Sequence, residues 1–108
     1  MTPESDQSPV PIACSLDASS LGERADEWRA LVESSVISVE AGETEVRLVL
    51  RESDAALTQA VALAQREKEC CAFFDVSLAL QADRRTLVLA VPDGARDVLA
   101  AFVALLSA

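Results

Sequence analysis

The sequence predicts an α+β fold, an antiparallel sheet with helices on one face. Three observations predict it. Short runs alternate apolar with polar residues, as half-buried strands do. Segments of helical period lie between those runs and close the chain. Turn signals at 41–44 and 82–85 fold neighbouring strands back as hairpins. Hairpins interleaved with helices favour antiparallel pairing. The expected order is β-α-β-β-α-β-β-α, with a ferredoxin-like core followed by a C-terminal hairpin and helix.

Residues 1–9 read as a disordered tail, and 10–108 as a single domain. Val10 to Leu16 is a short strand, with Pro11 suited to its start or to an edge. Ser20-Leu21-Gly22-Glu23 has the form of a capping box, so a helix follows to about Ser34. Leu21, Ala25, Trp28, Leu31 and Val32 share one face of it. Val36 to Glu40 and Glu45 to Leu50 are two strands of a hairpin. Asp54 caps a second helix over 55–71. Phe74, Val76, Leu78 and Leu80 alternate as a strand, and Leu87, Leu89 and Val91 as the next. Pro92-Asp93-Gly94 ends that strand. A last helix over 95–106 turns Val98, Leu99, Phe102, Leu105 and Leu106 inward.

Composition narrows the function. The net charge is −9 and the pI about 4.3, so a phosphate backbone or an anionic membrane would be repelled. No apolar run is long enough to span a bilayer. Residues 1–9 have no basic-then-apolar leader pattern. Three cysteines, an odd number, do not suit a secreted disulfide framework. These features point to a cytoplasmic protein with reduced thiols. The chain has no His and no Tyr. Sulfur and carboxylate are therefore nearly its only side-chain tools.

The sulfur is concentrated at Cys70 and Cys71, side by side at the end of the second helix. On a helical wheel, Leu57, Ala60, Val61, Leu63 and Ala64 make an apolar stripe. Cys71 and Glu67 fall inside it, and Cys70 at its border. An unpaired carboxylate on a core-facing stripe is costly. It needs a partner, a proton or a metal ion, and a salt bridge to Arg47, Arg51 or another base is the plain alternative. Thiolates favour soft ions. Glu67, Cys70 and Cys71, with Cys14 as an additional sulfur, are the candidate metal ligands. The ions considered are zinc, copper(I), mercury(II) and the metalloid arsenite. In a ferredoxin-like arrangement Cys14 lies far from the pair, because a helix of about 16 residues spans about 24 Å. A three-sulfur site requires another topology or a second subunit.

Free cysteine also packs as a small hydrophobe. Nucleophilic catalysis has no His base to draw on. A helix C-terminus opposes a thiolate unless an Arg or Lys from elsewhere compensates.

Four segments carry a resemblance. They are Ile12-Ala13-Cys14-Ser15-Leu16, Arg24 to Trp28, Glu67-x-x-Cys70-Cys71-x-Phe73-Phe74 and Pro92-x-Gly94-Ala95. The chain resembles small uncharacterised bacterial proteins with an "ACTL" start and an E-x-x-C-C-P-F-F core. It is also similar to the C-terminal extension of some MerR-type metal-responsive regulators. Ala72 stands where the pattern has Pro, and Ser15 where it has Thr. The resemblance implies Cys14, Glu67, Cys70 and Cys71 as the site, and heavy-metal or thiol sensing as the role.

The leading expectation is a non-enzymatic module that binds a metal ion or small thiophilic ligand. The alternatives are a structural or homodimeric interaction domain with packing cysteines, and a small thiol-dependent redox protein.

Overall fold

The computed structural model describes residues 18–106. In order, they form α1 (Ala18–Ser35), β1 (Val36–Ala41), β2 (Glu45–Leu50), α2 (Asp54–Cys70), β3 (Asp75–Leu80) and β4 (Arg85–Ala90). A 3-10 turn (Asp93–Ala95) and α3 (Arg96–Leu106) follow. The four strands make one sheet in the order β1-β2-β4-β3, and every pairing is antiparallel. The α+β class with an antiparallel sheet is as the sequence predicts. The expected strand at 10–16 and the tail at 1–9 lie outside the described residues. A ferredoxin-like split βαβ unit needs a parallel neighbour, and the described strands contain none.

Each β-hairpin turns where the sequence signals it. Gly42 N donates to the Glu45 carbonyl at 2.8 Å, and a Cβ at position 42 would lie 3.3 Å from that oxygen. Gln81 N donates to the Arg84 carbonyl at 2.9 Å in the second turn. The register pairs Val46 with Leu89 and Leu48 with Leu87. Those residues, with Leu50, are buried beneath the helices. The opposite face exposes Ser38, Glu40, Arg47 and Ser77. Val49 and Thr86, a cross-strand pair, are its buried positions.

Several element ends differ from expectation. The first helix begins at Ala18, so Ser20 lies within it instead of capping it. The cap of α2 is Ser53, not Asp54. Ser53 has extended backbone, and its hydroxyl accepts from Ala56 N at 3.1 Å. Asp54 becomes the first-turn acid, where the helix dipole favours it. Val61 and Leu105 were expected inward but are exposed, as is Leu80 at the end of β3. Ala56, not Val61, completes the buried stripe of α2.

The core joins Trp28 and Leu31 of α1, Ala60, Leu63 and Ala64 of α2, and Leu99 and Phe102 of α3 to the sheet. Three aromatic contacts tie it together. Trp28 meets Phe102 edge to face at 5.1 Å between centroids. Phe74 meets Phe102 at 5.7 Å, and Phe73 stacks on Phe74 at 5.1 Å. Such pairs contribute beyond their buried area. They also fix the end of α2 against α1 and α3.

Candidate metal centre

The cysteine pair lies where α2 stops. Cys70 is the last helical residue and Cys71 is the C-cap, with φ −125° and ψ 77°. Cys71 N still donates to the Glu67 carbonyl at 2.8 Å, closing the final helical turn. The Lys68 ammonium donates to the Ala72 carbonyl just beyond the helix, a favourable place for a cation. Phe73 and Phe74 then enter the core and pull the chain under the helix.

This exit changes the division expected from the wheel. It is Cys70, three residues after Glu67, that continues the buried stripe of the helix. Cys71 leaves the helix but is buried more deeply, at 1% exposure against 8% for Cys70. The Glu67 residue is 6% exposed. One carboxylate oxygen and the two sulfurs all lie within 4.8 Å of one another. The structure thus brings together Glu67, Cys70 and Cys71. Cys14, the fourth expected site residue, lies outside the described residues.

Helix α1 supplies what the sequence reading missed. Glu67 pairs with neither Arg47 nor Arg51. Its Oε1 accepts from the indole Nε1 of Trp28 at 2.9 Å and from Arg24 Nη1 at 3.4 Å. The same Nη1 lies 3.3 Å from Cys70 Sγ and donates to it. The Cys70 thiol also reaches the Glu67 carbonyl oxygen at 3.5 Å. Arg24 is thus the guanidinium from elsewhere that a sulfur at a helix C-terminus requires. Its Nε is buried with no hydrogen-bond partner among the described residues and lies 3.6 Å from Glu27 Oε1.

Arg24 and Trp28 are four apart on α1, hence on one helical face. Sequence signals for them existed. Trp28 stood on the apolar face, and Arg24 to Trp28 was one of the four segments of the resemblance. Neither signal named a partner on another helix.

A second clip holds α1 to α2 nearby. Arg66 donates through both terminal nitrogens to Glu27, at 2.6 and 2.8 Å. This bidentate bond keeps the Arg66 pKa above its ordinary value. A cavity of about 40 Å³ adjoins the site, lined by Arg24, Ala25, Trp28, Glu67, Phe102 and Leu105.

The two sulfurs are in different oxidation states. Cys70 is a free thiol, whereas Cys71 is disulfide-bonded. The partner sulfur of Cys71 is not among the described residues. The expectation of reduced thiols therefore holds for Cys70 and not for Cys71. No bond joins Cys70 to Cys71, in keeping with the geometry a disulfide demands of its backbone.

No helix among the described residues is long and apolar enough to cross a membrane. No protein-family model, curated protein or solved structure matches this chain.

Proposed function

We propose that this protein binds a thiophilic divalent ion through Glu67, Cys70 and Cys71 when both cysteines are reduced. One observation carries the reading: three buried donors of the right chemistry converge within 4.8 Å at one helix end. Two sulfurs on one tetrahedral zinc stand roughly 3.8 Å apart, from a Zn–S bond of about 2.3 Å. Closing the cluster onto an ion thus needs movement of about 1 Å.

Charge supports a divalent ion. A carboxylate and two thiolates bring three negative charges, and Arg24 beside them brings one positive charge. A divalent ion neutralises the remainder. A monovalent ion leaves one buried negative charge, which is costly. Three protein donors leave a fourth position on a tetrahedral ion. A neutral ligand such as water there keeps the charge balanced; a Cys14 thiolate in that position would bind the ion more strongly but leave one negative charge. Trp28 and Arg24 would hold the Glu67 carboxylate in place, as outer partners do around ligating groups.

The test is an anaerobic titration of the dithiol-reduced chain with zinc, mercury(II), copper(I) and arsenite. Zinc and mercury(II) are expected to bind one per chain. Replacing Cys70 and Cys71 together by Ser should abolish that binding. Unchanged affinity in the double variant overturns the proposal. A smaller loss in Cys14→Ser is expected if Cys14 is the fourth donor.

The disulfide at Cys71 favours a second reading, thiol redox chemistry. It requires Cys70 to alkylate much faster than free cysteine at neutral pH. Slow alkylation removes it.

A further inference from the structure

Cys71 is at once a donor of the candidate metal centre and a disulfide-bonded residue. The same sulfur cannot serve both roles, because metal ligation needs a thiolate and a disulfide sulfur carries none. We propose that the Cys71 disulfide gates the metal centre: the oxidised chain excludes the ion and the reduced chain accepts it. This rests on the metal-binding reading above.

The residues around Cys71 make the gate effective. With Cys71 oxidised, only Glu67 and Cys70 remain as donors, and Arg24 donates to both of them. Two donors that share a guanidinium form a poor cation site, since the positive charge already occupies their common side. Reduction adds a third donor and a second thiol. The cluster gains its two thiolates only as an ion displaces their protons.

The chemistry is thiol–disulfide exchange with a dithiol reductant. A thiolate of the dithiol attacks the Cys71 disulfide and forms a mixed disulfide. Its second thiol displaces the protein sulfur. Two electrons pass to the protein, whose two freed sulfurs take up two protons, and the dithiol leaves as its own disulfide. A divalent ion then displaces the protons of Cys70 and Cys71. Within one chain, the only further cysteine for the Cys71 bond is Cys14. A Cys14→Ser variant keeps Glu67, Cys70 and Cys71 and tests the gate by comparing its oxidised with its reduced state, since it also removes a proposed fourth donor.

The experiment uses the full chain, prepared air-oxidised and dithiol-reduced, with zinc(II) as the probe and a chromophoric chelator as competitor. Thiols are counted in denaturant. The expected counts are one in the oxidised chain and three in the reduced chain. The oxidised chain should bind zinc at least about 100-fold more weakly, which is as much as loss of an outer partner can cost. Cys14→Ser should bind zinc equally well before and after reduction, though more weakly than the reduced parent chain if Cys14 is the fourth donor.

Equal zinc affinity in the oxidised and reduced chains overturns the gate but leaves the metal centre standing. No zinc uptake in either state overturns the metal centre and the gate with it. A Cys14→Ser chain that binds zinc only after reduction, or a covalent dimer on a non-reducing gel, overturns the intrachain form of the gate.

Discussion

Glu67 lies between an indole and a guanidinium in a core built mostly from Leu, Val, Ala and Phe. A carboxylate survives there because each donor offsets part of its lost hydration. The Trp28 bond is the shorter of the two and is buried. Replacing Trp28 by Phe keeps the aromatic packing against Phe102 but removes the N–H. A hydrogen bond to a charged group contributes about 1.5–3 kcal/mol, so Trp28→Phe is expected to cost about 2 kcal/mol. Urea unfolding followed by circular dichroism would show it as a midpoint lower by about 1 M. A shift of less than a quarter of that would mean that Glu67 does not depend on the indole. The need for a partner was legible from Glu67's place on an apolar stripe. The partner was not, because Arg24 and Trp28 lie about forty residues earlier and only helix docking brings them close.

At the scale of elements, α2 carries the centre, and its two ends set the position of the donors. Ser53 fixes the start of the helix through its bond from Ala56 N. Ser53→Ala should cost about 1 kcal/mol by chemical denaturation. Asp54→Ala should cost less, about 0.3–1 kcal/mol, because it removes only a charge near the helix N-terminus. The reverse order would restore Asp54 as the cap. Ser53 and Asp54 are adjacent and both residue types cap well, so only the hydrogen bond from Ala56 N separates them. The other end matters more for chemistry. The wheel treated Cys71 as helical, but the helix ends at Cys70. Phe73 and Phe74 bury themselves in the core and turn the chain inward there. A wheel has no means of seeing where tertiary packing stops a helix.

At the scale of the molecule, the three described helices pack against the described four-stranded sheet, and α1 and α3 close over the end of α2. A ligand that binds this folded arrangement and not the unfolded chain stabilises it by mass action, by about 2.7 kcal/mol at a hundredfold excess over Kd. For a domain of about 60–100 residues, each kcal/mol raises Tm by about 4–8 °C. Zinc at that excess should thus raise the Tm of the reduced chain by at least about 10 °C in calorimetry. The oxidised chain should shift little. Equal shifts in both states would place the zinc somewhere other than a centre that includes the Cys71 thiolate.

The sequence by itself determined the α+β class, the two described hairpins, the three described helices and the cluster of Glu67, Cys70 and Cys71. All of these follow from periodicity and from contacts a few residues apart, which a linear text records directly. Only the tertiary structure decided the β1-β2-β4-β3 order, the pairing of Glu67 with Arg24 and Trp28, and the different states of the two cysteines. Those depend on which distant surfaces bury each other. Several arrangements of the same amphipathic elements satisfy the local pattern, and packing of the whole core selects among them.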